Sequence, residues 1–278
     1  MMQADLDRSQ ITQRDVRCEN GTLAFLAQPA APGPHPVMVL LHERYGLVDH
    51  TRDMATRFAA AGHTAIAPNL FWREPNQEAI ARAEARAEVA DTQVCDDISS
   101  VLDYLGGVEG ADLGRVAIMG VCQTGRFPLA YSALAADRHP ISACVIFHGA
   151  AYPREWQLNA EKTIPYDELI ARSRVPVFGA FGEEDFLISL DSVRRFRDSL
   201  EAARRSYDVT VFGGAPHSWL NDRIPSYRQP QAEAATTKLL AFLDEVYAGG
   251  WPADRVQWRF TSNTAFGEGA AAAAPAAH

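Results

Sequence analysis

Apolar positions along the chain fall into short continuous runs separated by longer amphipathic stretches, the pattern of buried strands alternating with helices. Residues 35–42 (HPVMVLLH), 64–67, 116–119 (VAIM), 141–147, 175–181 and 207–212 are too short for helices, and each reads as a strand buried on both faces. Between them, Met54, Phe58 and Ala59, then Val94, Ile98, Val101, Leu102 and Leu105, and then Leu190, Val193, Phe196 and Leu200 recur chiefly three or four apart. Such spacing gives helices with one buried stripe. Residues 232–247 close the series as a helix through Ala235, Leu239, Leu240 and Phe242. The stretch from about 77 to 105, rich in Ala, Glu and Arg, is helix-prone and long enough for one helix or two. Residues 15–28 differ: the alternation Thr22-Leu-Ala-Phe-Leu-Ala follows a turn at Glu19-Asn20-Gly21 and predicts an antiparallel hairpin at a sheet edge.

These elements predict an α/β protein with a mainly parallel, doubly wound sheet, helices on both faces and an N-terminal antiparallel hairpin. A single domain is expected over residues 15–248, with an N-terminal arm (1–14) and a C-terminal extension (249–278). Within the extension, residues 256–260 suit an added strand or a partner contact. Residues 269–278 are low in complexity and read as disordered.

In such a sheet, functional side chains belong in the loops at the carboxyl ends of the strands. The run 116–119 leads into Gly120-Val-Cys122-Gln-Thr-Gly125 and then into helix-compatible sequence, so the chain must turn sharply with Cys122 at the apex. The run 175–181 is followed by Gly182-Glu-Glu-Asp185, and 207–212 by Gly213-Gly-Ala-Pro-His217. A cysteine nucleophile needs a base, an acid that orients the base, and donors for the oxyanion formed on attack. Cys122, His217 and Asp185 fill the first three roles, with Glu183 and Glu184 competing for the acid. The bland alternative for Cys122 is a buried structural thiol.

Composition narrows the partners. Hydrophobic residues at 47% and charged residues at 22% are those of an ordinary globular protein. A formal charge of -9 argues against nucleic acid or an anionic membrane surface as partner. No apolar run approaches spanning length and the polar start lacks a signal-peptide core, so a cytoplasmic protein is expected. The four cysteines (Cys18, Cys95, Cys122, Cys144) show neither CxxC nor Cys/His ligand spacing. No metal or cofactor is implied, and the expected assembly is a monomer or small homo-oligomer.

The turn at Cys122 resembles the nucleophile elbow of α/β-hydrolases with a thiol in place of the hydroxyl, and the order nucleophile, acid, histidine is that of the same fold. Over residues 22–247 the chain resembles the dienelactone hydrolase family, the cysteine-nucleophile branch of that fold. The resemblance implies hydrolysis of a small-molecule lactone or ester through an acyl-enzyme. It gives Glu43, in Glu43-Arg-Tyr45-Gly46, the role of a carboxylate that contacts the resting thiol and moves when substrate arrives. It places the oxyanion donors at the backbone amides of Arg44 and Gln123, and a substrate carboxylate on Arg73, with Tyr45 and Trp219 as further pocket residues and His148 beside them. Two positions depart from the family pattern. Thr124 stands where glycine is usual, and Asn221 stands where dienelactone-cleaving members carry a second arginine, a loss for which Arg44, Arg126 or Arg223 are the available replacements. Thioester hydrolysis, acyl transfer and non-catalytic ligand binding are the competing readings.

Overall fold

In the computed structural model, which describes residues 8–262, the hairpin consists of β1 (Ile11–Arg17) and β2 (Leu23–Pro29). Their register runs from Ile11 opposite Pro29 to Arg17 opposite Leu23. The first strand thus begins at Ile11 rather than Asp15, because its residues from Thr12 to Asp15 are exposed and polar and leave no apolar alternation to read. The turn closes at Gly21, whose φ of +96° is open to glycine at little cost.

The parallel part follows as β3 (His35–Leu40), β4 (Thr64–Pro68), β5 (Ala111–Val121), β6 (Ala143–Phe147), β7 (Val177–Glu184) and β8 (Tyr207–Pro216). A last strand, β9 (Trp258–Ser262), lies parallel to β8 within the C-terminal extension. The nine strands form one sheet in the order β1-β2-β4-β3-β5-β6-β7-β8-β9. Among the described residues only the β1–β2 and β2–β4 pairs are antiparallel, so this is the mainly parallel α/β-hydrolase sheet that the sequence predicts. The low-complexity residues 269–278 lie outside the described residues.

Helices α1 (Asp49–Ala60) and α7 (Gln229–Tyr247) cover one face of the sheet. The other face carries α3 (Asp91–Leu105), α4 (Phe127–Leu134), α5 (Tyr166–Arg172) and α6 (Leu190–Ala202), with the short α2 (Gln77–Ala81) before α3. The period of two along β5 makes the division visible: Val116 and Ile118 face one layer, Ala117 and Met119 the other. The helix-prone stretch after residue 77 is therefore two helices, broken where Ala83 takes a φ of +60°. Helix α5 has no counterpart in the sequence reading, since seven residues are too few to display a period.

One buried ion pair braces the face beneath the elbow. Arg126, at 1% exposure, donates bidentately to Asp91 at 2.8 and 2.7 Å and reaches the carbonyls of Glu155 and Ile164. It joins the starts of α3 and α4 to the 155–164 loop, and its guanidinium lies over the Tyr166 ring. Removing Asp91 leaves the buried guanidinium with only the longer 3.7 Å contact to the Glu155 carboxylate as an ion pair. Asp91→Ala is expected to lower unfolding stability by about 3–5 kcal/mol, measured by urea denaturation at unchanged m-value.

Candidate active site

The elbow forms because three close approaches exclude side chains. A Cβ on Gly120 would come within 2.5 Å of the Thr124 carbonyl oxygen, one on Gly125 within 2.6 Å of Gly149, and one on Gly149 within 2.5 Å of the Cys122 carbonyl oxygen. Immediately after β5 the chain enters a single 3-10 turn (Cys122–Thr124) with Cys122 at φ +53°. A non-glycine residue held there is strained, and such strain persists only where the surroundings impose it. Thr124 fits in place of the usual glycine because its Oγ1 lies 3.0 Å from both the amide and the carbonyl of Val121.

Strands β7 and β8 bring the other two groups alongside. A Cβ on Gly182 would meet the Ala215 carbonyl oxygen at 2.1 Å, so the two strand ends touch backbone to backbone and carry Asp185 and His217 together. His217 Nδ1 lies 2.7 Å from Asp185 Oδ2, and its Nε2 lies 3.2 Å from Cys122 Sγ. Asp185 Oδ1 accepts hydrogen bonds from the amides of Leu187 (2.8 Å) and Ile188 (3.0 Å), which lock the carboxylate. Glu183 is turned elsewhere and accepts from the Gly214 amide. Burial pulls the His217 imidazole down, but its hydrogen bonds to Asp185 and Cys122 outweigh burial and push it up to about 10.

Tyr152, which no motif singled out, completes the shell around the sulfur. Its hydroxyl lies 3.4 Å from Cys122 Sγ, 3.3 Å from His217 Nε2 and 3.3 Å from the His148 carbonyl oxygen. Burial and the adjacent Cys122 hold the phenol above its usual range, so it stays protonated and donates. Arg154 stacks over the Tyr152 ring at 4.4 Å. Arg154 also borders a cavity of about 200 Å³ that Gln123, Arg86 and Lys162 help to line. Phe186, 81% exposed, stands with its ring 5.9 Å from that of His217. A larger cavity of about 600 Å³ lies between α1 and α7 under Met119 and Phe147, with none of Cys122, Asp185 and His217 in its lining.

Glu43, 4% exposed, does not hold the thiol in this arrangement; the hydrogen-bond partners of Sγ are His217 and Tyr152. Its Oε2 instead accepts from Asn221 Nδ2 at 2.8 Å. The residue that replaces the family's second arginine is therefore the partner of Glu43, a neutral donor on a buried carboxylate. His42 fixes the same loop: its Nδ1 bonds the Glu43 carbonyl and its Nε2 the Leu70 amide, and burial pulls it down to about 4, so it stays neutral. Tyr45 lies within electrostatic reach, its phenol raised by burial first and then by Glu43.

The side chains of Arg44 and Gln123 are drawn away from the thiol, to the carbonyls of Ala83 and Ala87. Their amides follow the neighbouring strands β3 and β5. Arg73 is engaged with a different anion. Both its Nη atoms bind the buried Asp97, at 2.8 and 2.9 Å, and Asp97 also accepts from Thr22 and Asn20. The fork geometry expected to meet a substrate carboxylate here ties the loop after β4 to α3, and Asn20 and Thr22 tie the hairpin turn to the same carboxylate. Trp219 is wholly buried among Phe147, His148 and Phe212, so it backs the site and has no surface on a pocket. Among the replacement arginines, Arg126 is taken by Asp91 and Arg223 by Asp53.

A family model described as the dienelactone hydrolase family matches residues 23–247. A protein of Escherichia coli (strain K12) described as "Putative carboxymethylenebutenolidase" is 31% identical over 232 residues, which are 81% of this chain and 83% of its own. A protein of Methylorubrum extorquens with the same description is 28% identical over 221 residues, 78% of this chain and 74% of its own. The crystal structure of a "Putative Dienelactone Hydrolase" from Klebsiella pneumoniae superposes with a TM-score of 0.74 at 25% identity, covering 84% of this chain and 99% of that one. No helix among the described residues is long and apolar enough to cross a membrane.

Proposed function

The chain belongs to the dienelactone hydrolase family, and from that premise we propose that it hydrolyses a lactone or small ester carrying a carboxylate, with Cys122 as nucleophile. The observation that carries the reading is the unbroken chain of contacts from Sγ through the His217 ring to Asp185, starting from a cysteine in the left-handed conformation of an elbow.

The sulfur, as thiolate beside the His217 imidazolium, attacks the carbonyl carbon, and the carbonyl electron pair moves onto oxygen between the amides of Arg44 and Gln123. Collapse breaks the ester C–O bond, and the departing oxygen takes the Nε2 proton of His217. Water then gives a proton to Nε2 and attacks the thioester. The second collapse frees the acid and restores thiolate and imidazolium. Tyr152 donates to the sulfur while it is negative and must release it as the C–S bond forms.

An activated ester supplied in excess tests the reading directly. The expected result is a burst equal to the enzyme concentration, followed by steady release, with the acyl mass on the peptide containing Cys122. Acylation at another residue rejects the nucleophile, and stoichiometric binding without release favours a receptor.

The names of the curated relatives denote a butenolide bearing a carboxymethylene group, and an anion anchor is part of this reading. Arg154 supports that role better than Arg73, because it reaches the site through the Tyr152 ring whereas the Arg73 guanidinium is held by Asp97. Arg154→Ala is expected to raise KM for carboxylated lactones about tenfold, equivalent to a charged hydrogen bond of roughly 1.5 kcal/mol, with kcat for uncharged esters little changed. Arg73→Ala should instead lower thermal stability. Steady-state kinetics on paired charged and neutral substrates separate the two.

A further inference from the structure

Cys122, His148 and His217 each present one donor atom, all within 4.8 Å of one another, and all three residues are buried. The hydrolytic chemistry uses two of them. His148 has no part in it, yet it is 0% exposed, neither ring nitrogen has a hydrogen-bond partner, and its backbone sits at φ +34°. Buried polar atoms are almost always satisfied, so an imidazole left unpartnered beside a thiol and a second imidazole needs a reason. We propose that these three side chains form a binding site for one thiophilic divalent cation of the zinc class, which holds the enzyme in a reversible inactive form.

The donor set is one sulfur and two imidazole nitrogens, the softness that zinc prefers, and the Tyr152 hydroxyl lies beside two of them, 3.4 Å from Sγ and 3.3 Å from His217 Nε2. His217 is already oriented as metal-bound histidines are: a carboxylate, Asp185, holds Nδ1 and leaves Nε2 for the ion. Cys122 and His217, each 7% exposed, leave a route to solvent that a small ion can use. Coordination through the sulfur displaces the thiol proton, which leaves to solvent, and no electron changes hands. The bound ion takes the electron pairs of both the nucleophile and the base, so attack and proton transfer stop together. The other three thiols do not compete. Burial pushes Cys18 up to about 11 and Cys95 and Cys144 up to about 12, and none is placed in this cluster.

Coordination is independent of the hydrolase reading; only the inhibition rests on it. The full-length protein, stripped with chelator, is titrated with Co²⁺ and then challenged with Zn²⁺. The expected result is one ion per chain, one proton released, an intense thiolate-to-cobalt band in the near ultraviolet, and visible bands of tetrahedral intensity that Zn²⁺ erases. Zn²⁺ should inhibit hydrolysis, and EDTA should restore it. His148→Phe, an aromatic replacement among Phe147, Trp219 and the His217 ring, should raise the Zn²⁺ concentration for half-inhibition at least about tenfold. Cys122→Ser serves where that variant fails to fold, and should lose the thiolate band at unchanged secondary structure. A weak octahedral spectrum without the thiolate band, or a His148→Phe variant as sensitive to Zn²⁺ as the wild type, overturns the site. A full cobalt spectrum in a protein with no turnover leaves the site standing and overturns the hydrolase reading.

Discussion

Cys122→Ala should lower kcat by about 10⁴-fold or more while leaving the folded protein intact. Alanine removes the sulfur but keeps a Cβ, so the strain at φ +53° is unchanged and the three glycine contacts that shape the elbow are untouched. What remains is a histidine held by Asp185, the backbone amides and a vacated site able to hold water. Such a remnant still orients substrate and retains a modest advantage over solution, which sets the residual rate. Cys122→Ser should fall between the two, because a hydroxyl is far harder to ionise beside the same imidazole. Rates from single turnover on an activated ester decide the matter. An alanine variant that turns over as fast as the wild type would remove Cys122 from the mechanism.

Much of the fold was legible because its signals are local. A run such as Val116 to Met119 buried on both faces, or Leu190 to Leu200 repeating every three or four residues, announces its element without knowledge of the rest. The elbow was legible for the same reason, since a turn between strand and helix needs glycine within a few residues of the apex. Tyr152 and Arg154 were not. They lie in Ala151-Tyr-Pro-Arg, a segment without periodicity, and only the packing of the 3-10 turn (Pro153–Trp156) brings the phenol to the sulfur. The roles expected of Arg73 and Glu43 came from positions shared with a family, and position alone does not disclose the local partner. Asp97, on helix α3, takes the one, and Asn221, distant in sequence, takes the other. Long-range polar pairing is the part of a site that single-residue chemistry predicts least.

Asp185→Asn should lower kcat by about 10⁴-fold, and the reason lies in the carboxylate's other oxygen. The amides of Leu187 and Ile188 both donate to Oδ1, so an amide side chain in the same place must keep its own oxygen there. Its NH₂ group then faces His217 and donates to Nδ1. That forces the ring proton onto Nε2, the atom facing Sγ, and the base can no longer accept from the thiol. The same change reverses the charge balance at the ring. In the wild type the Asp185 and Cys122 bonds overcome burial and push His217 up to about 10. The imidazolium, and with it the alkaline limb of kcat/KM, should therefore persist until about pH 10. Its contribution to folding has the same window, complete below the ordinary value of 6.5 and lost as pH rises through about 10. Without the anion, burial prevails and the residual activity should lose its alkaline limb at lower pH. A pH–rate profile of the variant that keeps the wild-type limb would show that Asp185 does not set the protonation of His217.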